Sequence, residues 1–79
     1  MAIIHLTGEL AERARADTLT IDAPRVIDLR RALDARFPGI DATLCGLAVA
    51  IDGEIHNDAD YQPLRASSEV CFVPKIAGG

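Results

Sequence analysis

Apolar and polar residues alternate over four stretches of the chain and follow a helical period over one. In Ala2 to Thr7, Ile4 and Leu6 fall on one side and Ile3 and His5 on the other, the two-residue period of a strand. Gly8 marks a turn, and the charged, Ala-rich run Glu9 to Asp17 is expected to be a loop with a short helical turn inside it. Thr18 to Asp22 alternates again with Leu19 and Ile21 inward, so the first two strands should form a hairpin. Asp22-Ala-Pro24 then opens a helix, with Pro24 tolerated in a first turn and Asp22 placed to accept from free N–H groups. Val26, Leu29, Leu33 and Phe37 form its apolar stripe, Ile27 widens it, and Pro38-Gly39 ends it. Its arginines can be read as a docking patch or, more simply, as a solvated helix face.

The second half reads mainly as sheet. Ile40 to Cys45 is a connection of no evident form. Gly46 to Asp52 is a strand with Leu47, Val49 and Ile51 inward and the small Ala48 and Ala50 on the other side. Asp52-Gly53 is a short-hairpin signal, and Glu54 to His56 returns. Asn57 to Asp60 is a turn that lacks the ligand spacing of a calcium loop. Tyr61 to Leu64 is expected to be one helical turn, with Tyr61 and Leu64 filling the core edge. The last strand is Glu69 to Val73, and Pro74, with no N–H, stops further ladder pairing. One main helix must cover one face of a mixed sheet of four to five strands, an α+β arrangement. A right-handed crossover favours placing the first and last strands side by side at the centre. The other face then carries Ile3, His5, Ala48, Ala50, Cys71 and Val73, which is apolar enough to suggest a partner surface.

Composition narrows the chemistry. Seventy-nine residues, 49% of them hydrophobic, make one small domain whose core must be aliphatic, since only Phe37, Tyr61 and Phe72 are aromatic. A net charge of −4 argues against nucleic-acid or anionic-membrane partners, which need a cationic surface. No stretch has the length of a membrane span and Met1 to Thr7 lacks the basic start of a signal peptide, so a cytoplasmic location is expected. Cys45 and Cys71 lie far apart, too few for a zinc or iron–sulfur site, and each is expected to be a buried free thiol. His5 and His56 read as surface strand residues rather than ligands. No set of residues suggests a catalytic pocket.

The distinctive chemistry lies at the end. The last strand runs without a spacer into Lys75, Ile76, Ala77, Gly78 and Gly79. Five such residues reach about 17 Å when extended. Two residues without Cβ can thread a slot too narrow for side chains, which would make the carboxylate of Gly79 the reactive group. The plain alternative is a frayed terminus.

These features together resemble the ubiquitin-like β-grasp fold, and more narrowly the MoaD/ThiS family of sulfur carriers, which includes the small subunit of molybdopterin synthase. The resemblance runs through Ile3 to Leu6, Val26 to Leu29, Leu33 with Phe37-Pro38, and Val49 to Gly53. It is most specific in Val70-Cys-Phe-Val-Pro-Lys-Ile-Ala-Gly-Gly79, where the proline and the final Ala-Gly-Gly resemble the molybdopterin branch. Lys75, Ser67-Ser68 and Arg25 depart from that pattern, standing where a second proline, Gly-Asp and a helix-starting Thr are usual. The resemblance implies a β-grasp domain over residues 1–74 and a flexible tail over 75–79. It implies a non-catalytic protein that binds no cofactor itself. An E1-like adenylating enzyme would use ATP to adenylate Gly79, and a sulfur donor would convert it to a thiocarboxylate. The loaded carrier would then dock on a larger synthase subunit, as a heterotetramer in the family, and pass sulfur to a pterin. Gly78 and Ala77 would line the tail's passage, and Cys71, Val73, Pro74, Lys75 and Ile76 would touch partners. Other readings are a carrier for thiamine thiazole or another sulfur metabolite, a ubiquitin-like protein modifier, and a plain interaction module.

Overall fold

The computed structural model describes residues 1–75; Ile76, Ala77, Gly78 and Gly79, with the expectations placed on them, lie outside the described residues. The elements are β1 (Ala2–His5), α1 (Gly8–Ala14), β2 (Thr18–Ile21), α2 (Val26–Arg36), α3 (Asp41–Leu44), β3 (Leu47–Ile51), β4 (Glu54–His56) and β5 (Glu69–Pro74). The five strands form one mixed sheet in the order β2-β1-β5-β3-β4. β1 and β5 are parallel at the centre and every other pair is antiparallel, as the expected crossover requires. The fold is α+β.

Alternation decides which side of each strand is buried. Ala2, Ile4, Ile21, Val49, Val70 and Phe72 face inward and meet Val26, Leu29 and Leu33 of α2 in one aliphatic core. The stripe on α2 and the inward residues of β1, β2 and β3 are thus those the sequence predicts, with Phe37 the half-buried C-cap of α2. The Asp52-Gly53 hairpin is also present. Both residues have positive φ, 49° and 86°, as a tight turn matched to the strands' twist demands.

Four local readings change: three expectations are corrected and one open connection takes form. Glu9 to Asp17 is not mainly loop: α1 spans Gly8–Ala14 and buries Leu10, so the main helix is not the only one. Ile40 to Cys45 contains the helical turn α3, with Ile40 and Leu44 buried. Asp34 holds its start, one carboxylate oxygen accepting from the N–H groups of Gly39 and Asp41 at 3.1 Å each. Tyr61 to Leu64 forms no helix; Tyr61 is exposed, Leu64 is half-buried against the core, and Ala59 takes the buried place instead.

The fourth concerns the start of α2. The N-cap is Arg25, not Asp22, and no side chain caps it. The backbone of the 60–62 segment does so: Val26 N–H donates to Gln62 O at 3.2 Å and Ile27 N–H to Asp60 O at 3.0 Å. Arg25 also forms an isolated bridge with Pro63, so this loop is laced to the helix entrance. Free N–H groups at a helix start need acceptors, and a neighbouring loop serves as well as a side chain.

Candidate functional site

β5 is the strand that delivers the chain's end. It is hydrogen-bonded on both sides, to β1 and to β3, and its core-facing Val70 and Phe72 are buried. A central strand held this way is a rigid base. Pro74 closes β5 opposite Leu47, so the strand runs one residue beyond the expected Val73. Pro74 and Lys75 are exposed. The last described residues therefore stand at the sheet's end, outside the core.

Two clefts flank this exit. One, of about 180 Å³, is mostly apolar and is lined by Leu10, Leu44, Leu47, Phe72 and Pro74, with His5 and Glu9 among its polar residues. The other, of about 90 Å³, is polar and is lined by Cys45, Asp58, Asp60, Arg30 and Lys75 among others. There Arg30 Nη1 lies 2.9 Å from Asp60, and its Nε lies 3.1 Å from Asp41 as a charge pair without hydrogen-bond alignment. Arg30 thus ties α2 to α3 and to the 57–60 turn beside Lys75. The sequence carried no signal for this network, because its members are far apart in the chain and each looks like an ordinary solvated charge.

Register defines the open face of the sheet. Cross-strand partners share a face, so His5, Cys71 and Ala50 lie in one row, with Thr18 and Ile55 at its ends. Val73 pairs with Ala48 in the next row. Ile3, Ala50, Cys71 and Val73 are half-buried, and Ala48 is fully buried. The two alanines keep this face low, and Ile55, 49% exposed, stands above it. Ile55 escaped the sequence reading, although the two-residue hairpin at Asp52-Gly53 implies its position opposite Ala50. His5 is bound on this face to Glu69, Nε2 to Oε1 at 2.8 Å.

The cysteines are free, but neither is buried as expected: Cys45 is exposed beyond α3 and Cys71 is half-buried on the open face. Among the described residues no cluster of three metal-ligating side chains occurs. Nor is any helix among them long and apolar enough to cross a membrane. Of the expected site residues, Cys71, Val73, Pro74 and Lys75 fall together along the last strand and its exit. Ile76, Ala77, Gly78 and Gly79 lie outside the described residues.

A mixed five-stranded sheet grasping a helix, with the last strand central and open-ended, defines a ubiquitin-like β-grasp domain. The model of the ThiS family matches residues 4–79, and the chain belongs to that family. Solved structures share the fold. Small archaeal modifier protein 1 of Methanosarcina acetivorans superposes with a TM-score of 0.79 at 20% identity, over 99% of this chain and 95% of that one. Its namesake from Haloferax volcanii gives 0.74 at 24%, over 99% and 98%. A chain of the Amycolatopsis orientalis BexX/CysO complex gives 0.81 at 15%, over the whole of both. No curated protein matches the chain by sequence.

Proposed function

We propose that this protein is a sulfur carrier that works through the terminal carboxylate of Gly79, in the assembly of molybdopterin. The observation that carries the reading is the position of β5: a doubly hydrogen-bonded central strand that ends, exposed, at Pro74 and Lys75, followed in sequence by Ile-Ala-Gly-Gly. A carboxylate is a poor acyl donor until its oxygen is made a leaving group. An E1-like partner supplies that step: the Gly79 carboxylate attacks the α-phosphorus of ATP, pyrophosphate leaves, and an acyl-adenylate forms. A persulfide sulfur then attacks the acyl carbon and AMP departs, leaving an acyl disulfide to the donor; a second thiol of the donor attacks the donor's sulfur, forming a disulfide there and releasing the thiocarboxylate. In this reading the activating chemistry comes from the partner, not from the domain. Its share is to present Val73, Pro74, Lys75 and Ile76 to the partner, with the open face around Cys71 as the docking surface. Ala77 and Gly78 pass through the narrow part of the partner's site. A larger synthase subunit, two copies of each forming a heterotetramer, then accepts the sulfur. The proline before the tail, Pro74, supports the molybdopterin pathway over the thiazole pathway.

A second reading, attachment of Gly79 to amines of other proteins, is favoured by the two matched structures whose names describe modifier proteins. One experiment separates the two. The chain is incubated with an E1-like activator, ATP and a persulfide donor, and its intact mass is measured. Replacement of one oxygen by sulfur supports the carrier, and adducts removed by an isopeptidase support the modifier. Deleting Gly79 is expected to abolish loading while leaving the thermal unfolding midpoint unchanged. Loading that survives the deletion would overturn the assignment of Gly79.

A further inference from the structure

The two edges of the sheet are built differently. β4 is three residues long and carries Glu54 and His56, whose charged or polar heads lie 3.8 Å apart. A short, charged edge discourages added strands. β2 is also short, at four residues, but lacks the charge. Thr18-Leu-Thr-Ile21 contains no charge and no proline, and its register against β1 is continuous from Ala2↔Ile21 to His5↔Thr18, with no bulge. It is the outermost strand, and among the described residues no hydrogen bond beyond the β1 ladder reaches it. Such a strand offers a row of outward N–H and C=O groups of its own.

What this edge accepts is indicated by its flanks. Asp17 and Asp22 are exposed at its two ends. Five residues apart, they are separated by about 17 Å along the strand. The same pair disfavours a second copy. Each copy carries a net charge of −4 and two exposed aspartates at the ends of this edge, so pairing two copies here would bring like charges together. We infer that the β2 edge is a docking site for an extended segment of a partner protein whose cationic residues stand five positions apart, opposite Asp17 and Asp22. This goes beyond the sulfur-carrier reading and does not depend on it. The edge lies at the opposite side of β1 from β5, so it can be occupied while the end of β5 is engaged elsewhere.

Side-chain directions sharpen the partner. Opposite Leu19 and Ile21 the segment points to the core side and should be apolar; opposite Thr18 and Thr20 it should be small and polar. The probe is therefore an acetylated, amidated Lys-Val-Thr-Val-Thr-Lys peptide, with Glu-Val-Thr-Val-Thr-Glu as its acidic twin. Each is titrated to millimolar concentration into the labelled protein, with backbone amide shifts and amide hydrogen exchange as readouts. The basic peptide is expected to shift and protect amides of Thr18 to Ile21, more weakly at high salt, and the acidic one to bind more weakly. Exposed pairs of this kind alter affinity only modestly, so two of them should separate the peptides by roughly 2- to 30-fold. The double variant Asp17→Lys with Asp22→Lys should reverse the preference. No response at β2, a response centred on β4 or the open face, or equal binding of the two peptides would overturn the inference.

Discussion

The turn at Asp52 and Gly53 can be dissected by three substitutions at one position. Asp52 does two separable things. Its backbone sits at φ 49°, a left-handed conformation that costs an ordinary side chain about 1–2 kcal/mol and a short polar one less. Its carboxylate accepts from Glu69 N–H at 2.9 Å, tying the β3–β4 hairpin to the start of β5. Bonds to a charged acceptor contribute about 1.5–3 kcal/mol, but both residues are exposed, which brings the figure down to about 1 kcal/mol. The backbone bond from Asp52 N–H to Glu69 O, at 2.8 Å, survives any side-chain change. Asp52→Asn keeps the acceptor and the tolerance of left-handed backbone, so it should cost less than about 0.5 kcal/mol. Asp52→Gly loses the bond and adds chain entropy while relieving strain, for about 1 kcal/mol. Asp52→Ala loses the bond and keeps the strain, for about 2 kcal/mol. In a domain this small, each kcal/mol moves the midpoint by about 4–8 °C, so thermal and urea unfolding should order the variants Asn, Gly, Ala. Equal losses for Asn and Ala would refute the carboxylate bond. Equal losses for Gly and Ala would refute the backbone contribution.

Other expectations are simpler. Ser68 is 2% exposed and its hydroxyl accepts from Arg65 N–H at 2.8 Å; Ser68→Ala should cost about 1–2 kcal/mol in urea unfolding by leaving that donor unpaired. Arg25 has the extended N-cap backbone but no side-chain cap, so Arg25→Ser should raise stability by about 0.5–1 kcal/mol through a bond from Asp28 N–H, and an unchanged midpoint would mean that the 60–62 loop already suffices. Leu29 is wholly buried at the centre of the core; Leu29→Ala should cost about 2–5 kcal/mol, a large share of the roughly 4–12 kcal/mol expected for the whole domain, and a loss below 1 kcal/mol would show that the core recloses around the gap.

The sequence was legible where structure is local or periodic. Asp52-Gly53 names its own turn, Val26, Leu29 and Leu33 name their own helix face, and the alternation in β1 and β5 identifies the residues on each face. It was less legible where the cause is a distant neighbour. α1 is seven residues long, below the length at which a helix stands alone, and is held by burying Leu10 and by Arg13 reaching Pro38 O at 2.9 Å. The start of α2 looked like a task for Asp22 because side-chain caps can be read in sequence, whereas carbonyls from Asp60 and Gln62, over thirty residues away, cannot. Tyr61 reads from sequence as filling the core edge within a helical turn, but no helix forms there, Ala59 is the buried residue and Tyr61 stays outside. At the candidate site, the strand and its proline were evident from sequence. The Arg30 network beside Lys75 was not, since it arises only when α2, α3 and the 57–60 turn meet.

The same alternation would let one strand serve both the fold and the proposed partner. Val70 and Phe72 commit one side of β5 to the core, and Cys71 and Val73 leave the other side for contact. Ladders to β1 and β3 hold the strand against the loss of either set of contacts. Changes at Cys71, Val73 and Ile55 on the open face can therefore leave the aliphatic core undisturbed, whereas the apolar exit cleft shares Leu10, Leu44 and Phe72 with that core. That separation suits a domain with net charge −4 and few aromatics, whose stability must come from the few buried Leu, Ile and Val residues that α2 and the sheet share.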